Sequence, residues 1–469
     1  MNESQQIIDH LDARQPEIVE WLKDFLRIQS VSADPAFAPD MREARRFLIE
    51  RLQQIGLANV RLLDGDGEPA VYGEWNGAPG RPTLMVYGHY DVQPADPIEQ
   101  WRTPPFEPTE VDGRLYGRGT SDVKGSTTIA LEVIAAFLSV RGGCPVNIKV
   151  FLEGEEETGS PSLRTIVARH RTLLRADAVL SADGGRASAS VPTLNTGARG
   201  NAQLEVRLRT AHKDLHSGRY GGSVRNALHE MARLVASLHD AHGGVAVQGF
   251  HDGAAAPTER ERADTAAFPY DEAAFFSDVG GSAHGEAGYT ARERVTLRPA
   301  LDVNGLWGGY TGGGGKTIVP CEAQAKLTTR VVAGQDPGAV IRAVLRHLRQ
   351  HCPAECTLDV IAITDGSPAS TLAPAHPLVR AAEAVLERET GARPIHVRLG
   401  ASVPVTSIFK ETLGIDTLMF GFNLPDEDVH APNEFFRLQS IREGTRAWTL
   451  LLAELAKYSP AAFHAGALE

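Results

Sequence analysis

Apolar residues recur every three or four positions through SQQIIDHLDARQPEIVEWLKDFLRI (residues 4–28) and MREARRFLIERLQQIG (41–56), the spacing that lines one face of an α-helix. Gly56 supplies a stop for the second. The pattern then shortens: TLMVYG (83–88), VNIKVFLEG (146–154) and ADAVLSAD (176–183) are brief apolar runs bounded by Gly, Pro or acidic residues. Such runs predict strands buried on both faces. Between them KGSTTIALEVIAAFLSVRGG (124–143) predicts a helix ended by glycine. Strands alternating with helices predict an α/β domain on a mostly parallel sheet with both faces covered.

From about residue 195 the texture changes. NAQLEVRLRT (201–210) alternates polar and apolar residues, as a strand with one wet face does. A helix over 223–240, strands at 299–304 and 318–332, a helix over 336–351 and a strand over 356–364 complete a small α+β layer with an antiparallel sheet. Residues 240–300, rich in Ala, Gly and charge, predict a surface elaboration with one short helix at YDEAAFF (270–276). After GSPASTLAPAHP the buried style returns, with a helix over 376–390, the strand TLMFGF (417–422) and a last helix over 438–458. The expected organisation is a catalytic domain of residues 1–194 plus 370–469, interrupted by an inserted domain at 195–369.

A hydrophobic share of 42% in 469 residues is ample for two cores. The net charge of -12 argues against nucleic acid or an anionic membrane as partner and leaves a small solute or another protein. Four scattered cysteines do not form a secreted disulfide framework, and Cys352 and Cys356 lack a second ligand pair at zinc-finger spacing. The start MNESQQIIDHLD is polar and acidic, unlike a signal peptide. TTIALEVIAAFLSV is too short to span a bilayer and contains Glu132. A cytoplasmic protein is the expectation.

EGEEETGS (153–160) puts four glutamates into five positions just after a predicted strand. Alone, such a cluster reads as a solvated turn. Other predicted strands, however, also run into polar residues: His89 and Asp91 after TLMVYG, Asp183 after AVLSA, and His430 after TLMFGFNLPDEDV. Open α/β sheets bind ligands at the carboxyl ends of their strands, so these residues are expected on one rim. Imidazoles with carboxylates suit zinc at a catalytic site. Asp91 is placed to accept the second ring N–H of His89, and Asp122, in GRGTSDVKGS, heads a predicted helix. Individually each has a plainer reading: an interior histidine, a turn cap at Asp91, a helix N-cap at Asp122, a turn residue at Asp183. Jointly they point to a pair of metals sharing a carboxylate, with one glutamate left as a base.

GHYDVQP, GRGTSDVKG, EGEEETGS, SADGG and DVHAPNE resemble, in order and spacing, the aminoacylase/carnosinase family of dinuclear zinc exopeptidases, especially its dipeptidase branch. The likeness spans nearly the whole chain, including DLHSGRYGG and NGLWGGYTGGGGKTIVP. It implies that His89 and Asp183 bind one zinc, that Glu157 and His430 bind the other, and that Asp122 bridges them. Asp91 would orient His89 and Glu156 would be the general base, leaving Glu153 and Glu155 without distinct jobs. Manganese or cobalt could replace zinc. The inserted domain would be a lid and dimerisation domain, the protein a homodimer, and His216 would stabilise the oxyanion in the other subunit's site. Arg398 would clamp the substrate carboxylate. Leu399 and Ala401 depart from the acid and glycine usual beside that arginine, which bears on substrate preference.

GGGGKT (312–317) is not a nucleotide loop: Tyr310 stands where a glycine is needed, and a strand follows in place of a helix. The expected reaction is hydrolysis of a dipeptide or similar short peptide. An N-acyl amino acid deacylase of the same family is the alternative, and a non-catalytic binding protein the rival from another class.

Overall fold

The computed structural model describes residues 3–464, apart from the side chain of Asp365. The outermost ends of the expected catalytic domain, residues 1–2 and 465–469, lie outside the described residues. The chain divides into two compact units, the first formed by Met1–Thr196, Leu372–His396 and Pro404–Glu469, the second by Gly197–Thr371 and Val397–Val403.

In the first unit the sheet runs Ala58–Leu63, Ala70–Trp75, Asn147–Glu153, Thr83–His89, Ala178–Ser181, Thr417–Met419 and Thr193–Ala198. The four strands from Asn147–Glu153 to Thr417–Met419 are mutually parallel, and their outer neighbours are antiparallel. The parallel strands are buried almost end to end, as their continuous apolar runs require. Helix Gly125–Arg141 is apolar on every side and therefore lies inside, packed against Glu3–Ala13 and Leu438–Leu455. By length and composition Thr120–Arg141 could cross a membrane, but most of its apolar stretch is buried in this core.

The second unit is an antiparallel sheet in the order Ala300–Gly308, Glu322–Val331, Gly200–Arg209, Thr357–Ser367. Alternate residues of Gly200–Arg209 and Glu322–Val331 are buried, and they join Met231, Leu234, Ile341, Val344 and Leu348 from the helices Ala227–Ala236 and Pro337–His351 in a separate core. Cys352 and Cys356 pack against that core as free thiols.

Several local expectations change, among them the strand expected over 318–332, which is two, Ile318–Val319 and Glu322–Val331, in separate sheets. The helix expected over 4–28 is two, Glu3–Ala13 and Gln15–Arg27, because Pro16 starts a new first turn after Arg14. The strand expected to reach 422 stops at Met419. There Gly421 lies so close to the Gly184 carbonyl that a Cβ would sit 1.8 Å from its oxygen. Residues 240–300 hold three helices in place of one: Glu259–Ala267, Glu272–Asp278 and Ala291–Leu297. The first and third begin with reciprocal caps, Thr258 with Glu261 and Thr290 with Glu293, a four-residue signature visible in TERE and TARE.

Candidate metal centre

The register of the parallel strands brings the expected residues to one rim. His89 ends strand Thr83–His89, opposite Glu153 of its neighbour, and is fully buried. The chain leaving Asn147–Glu153 makes a single tight turn, Glu156–Thr158, closed by Gly159 at φ +88°. Asp183 follows Ala178–Ser181. Asp122 sits in the turn Thr120–Lys124, where its backbone leaves helical geometry before the helix at Gly125 begins.

Asp122 presents one carboxylate oxygen to each imidazole: Oδ1 lies 3.2 Å from His89 Nε2, and Oδ2 lies 3.0 Å from His430 Nε2. His430 Nε2 is also 3.0 Å from Glu157 Oε2. Atoms of His89, Asp122 and Glu157 that could ligate a metal ion all lie within 4.8 Å of one another. Glu156 Oε2 stands 4.0 Å from His89 Nε2. The Asp183 carboxylate accepts from the N–H of Gly184 at 2.5 Å.

Supporting bonds fix this arrangement. His89 Nδ1 is 3.1 Å from the Asp91 carbonyl and 3.4 Å from its Oδ1. The buried Asp91 carboxylate also accepts from the main-chain N–H groups of Glu156 at 3.3 Å and Glu157 at 3.1 Å, and from Ser32 Oγ at 2.7 Å. One acid thus orients both the histidine and the glutamate turn, the kind of outer support that metal ligands require. Gln93 Nε2 donates to Glu157 Oε2 at 3.0 Å.

The electrostatics are those of crowded acids. Burial pushes the Glu156 carboxyl up to about 8; His89 opposes this, while the charges of Asp183, Asp122 and Glu157 add to it. Burial and the Asp122 charge raise Asp183 to about 6. Burial also disfavours an ionised Asp122, but hydrogen bonds with His430 and His89 hold its carboxyl well below the usual range. His430 is raised to about 10 by its bonds to Asp122 and Glu157. Burial would lower His89, yet Asp122 and Asp91 hold it above the ordinary histidine value. The buried Lys124 ammonium does not reach in to neutralise the acids, because it donates to the carbonyls of Phe25 at 3.0 Å and Ile28 at 2.8 Å. A nitrogen and oxygen donor set with this unbalanced acidity fits divalent cations.

Sequence reasoning passed over several groups. Glu153 is not a solvated acid: it is buried and accepts from Tyr87 Oη at 2.7 Å. Ser32 lies in none of the quoted motifs, while Gln93 in GHYDVQP and Glu434 in DVHAPNE had no role assigned to them. His216 and Arg398 belong to the second unit. His216 is exposed, pairs across strands with Ile318, and accepts from the N–H of Gly218 at 3.0 Å through Nδ1. Arg398 forms an ion pair with Glu261.

An imidazole and carboxylate cluster at the carboxyl rim of a parallel sheet, with a spare acid beside it, defines the class as a metal-dependent hydrolase. The description "Peptidase family M20/M25/M40" matches residues 85–454, and the chain belongs to that family. Human Beta-Ala-His dipeptidase is 28% identical over 482 residues, covering 97% of this chain and 93% of the human one. The Cys-Gly metallodipeptidase DUG1 of Candida albicans is 28% identical over 456 residues, covering 92% and 93%. Among solved structures, the M20 family metallo-carboxypeptidase Sso-CP2 from Sulfolobus solfataricus has a TM-score of 0.77 at 30% identity, covering 94% of this chain and all of the other. Human carnosine dipeptidase 1 has a TM-score of 0.74 at 26% identity, covering 98% and 100%. The protein is a metallopeptidase.

Proposed function

We propose that this metallopeptidase is a dinuclear zinc dipeptidase that hydrolyses the peptide bond of dipeptides or similarly short peptides. His89 and Asp183 would hold one cation, Glu157 and His430 the other, and Asp122 would be shared between them. The observation that carries this reading is Asp122, with one oxygen turned to each of the two imidazoles. Relatives aligned over almost the whole chain are named dipeptidases.

Divalent cations supply Lewis-acid polarisation of the attacking water and of the scissile carbonyl. Glu156 takes the proton from that water and returns it to the leaving amine. It is suited to this because a base must be unligated and near neutral in pKa, and burial among acids raises its carboxyl. Asp91 holds His89 and the Glu156–Glu157 turn in place. His216 stabilises the developing oxyanion and Arg398 clamps the substrate carboxylate; motif resemblance supports both roles. A homodimer through the second unit and a cytoplasmic setting complete the reading.

The test is a substrate panel on zinc-reconstituted protein: dipeptides against acetyl- and succinyl-amino acids. Preferred cleavage of dipeptides is the expected result. Preference for the acyl amino acids would make it a deacylase, and no amide hydrolysis with zinc bound would leave a non-catalytic binding protein.

A further inference from the structure

Glu434 lies four residues beyond His430 and is fully buried. Its Oε1 accepts from the main-chain N–H of Ser121 at 2.8 Å and of Asp122 at 3.0 Å. Its Oε2 accepts from the N–H of Gly119 at 2.9 Å and from Arg118 Nη1 at 2.7 Å. All four donors belong to the segment that delivers Asp122. The Glu434 carbonyl also accepts from Gly117 N–H at 2.9 Å, so main chain and side chain grip the same turn.

The loop at the other end of this grip is one that needs holding. Asp428, His430 and Asn433 all have left-handed backbones, at φ +52°, +63° and +70°, a conformation that Asp, His and Asn adopt more readily than other non-glycine residues but still at a cost that surrounding contacts offset. Asn433 bonds Arg102 N–H at 2.8 Å and the Gln100 carbonyl at 3.0 Å. Glu427 bonds Ser121 Oγ at 2.7 Å, Leu424 N–H at 2.9 Å and Arg437 Nη1 at 3.0 Å. Of these anchors, only Glu434 bonds the main-chain N–H of Asp122.

We propose that Glu434 is a positioning residue of the metal centre: its carboxylate locks the Asp122 turn to the His430 loop and so sets the affinity of the cation those two residues share. The proposal rests on the metal reading above. A glutamine in its place offers a single acceptor oxygen and turns an N–H₂ toward main-chain N–H groups, so the lock would lose donors it now satisfies.

The test separates positioning from plain stability. Glu132 is a buried acid of helix Gly125–Arg141 that pairs with Arg51 and Arg14, and among the described residues no hydrogen bond or ion pair joins it to the metal residues named here. Metal-free wild type, Glu434→Gln and Glu132→Gln are titrated with zinc against a chromophoric chelator, and their apo melting points are measured. Both variants are expected to melt lower, but only Glu434→Gln is expected to weaken one of two zinc sites, by about 10- to 100-fold, the usual cost of losing an outer-shell partner. Its kcat recovers as zinc is raised. If Glu434→Gln does not fold, Glu434→Asp, which keeps the charge and shortens the reach, is read in the same way. Wild-type zinc affinity in a folded Glu434 variant, or an equal loss in Glu132→Gln, overturns the proposal. Wild-type protein that binds no zinc overturns the metal reading itself.

Discussion

The two compact units differ in how they hold their expected functional residues, although His430 of the first is exposed, as is His216 of the second. In the first, His89 and Asp91 are buried, and Asp91 alone accepts from two main-chain N–H groups and a serine hydroxyl. In the second, His216 is exposed, and Arg398 is held by an ion pair with Glu261, itself a half-buried helix-capping residue. Metal ligands must stand in fixed geometry before chemistry begins, so the fold carries the expense of burying acids together. Groups that recognise substrate can sit on surface segments and take up their partner on binding.

The contrast predicts graded effects. The largest belongs to Glu156: changing it to glutamine should lower kcat by about 10²- to 10⁴-fold with zinc content unchanged, since general-base catalysis is lost while the named ligands remain. Steady-state kinetics with metal analysis checks this, and near-normal turnover would remove Glu156 as the base.

Next comes the expense of acid burial. The Glu153 carboxyl is raised from 4.5 to about 7, chiefly by burial. Below pH 4.5 folded and unfolded chains both carry the proton. Between pH 4.5 and 7 the folded chain holds a proton that the unfolded chain has released, so stability falls as pH rises. Above pH 7 the loss is complete, on the order of 3 kcal/mol. Glu153→Gln should therefore gain little at pH 4.5 and become the more stable protein at pH 8. Denaturant midpoints of metal-free protein at the two pH values check it, and a pH-independent difference would contradict it.

In the second unit the effects are smaller. Arg398→Ala should raise KM for free-carboxylate dipeptides by roughly 10- to 100-fold, the value of a hydrogen bond to a charged group, with kcat less affected; an unchanged KM would leave Arg398 as a partner of Glu261 only. Thr258→Ala removes a side-chain cap on helix Glu259–Ala267 and should cost about 1 kcal/mol without altering zinc affinity. A change in zinc affinity there would break the separation between the units.

The same contrast governs what the sequence discloses. Parallel strands buried on both faces announce themselves as apolar runs, and a polar residue at the end of such a run, as at His89 or Asp183, stands out. That is why the sheet and the rim residues could be read in advance. Glu153 misled because burial depends on which strand lies beside it, here Thr83–His89, and a cluster of acids reads as wet. Glu434 was invisible for a related reason: its partners at 118–122 are more than 300 residues away in the chain. The extra helices of 240–300 were legible in principle through TERE and TARE, but an Ala- and Gly-rich background masked their caps.

The central claim is that two cations sit in one cage with Asp122 between them. Anomalous diffraction at the zinc edge from zinc-reconstituted crystals tests it most directly. The account predicts two peaks, one beside His89 and Asp183 and one beside Glu157 and His430, each in contact with a different Asp122 oxygen. A single peak, or peaks away from Asp122, would contradict it.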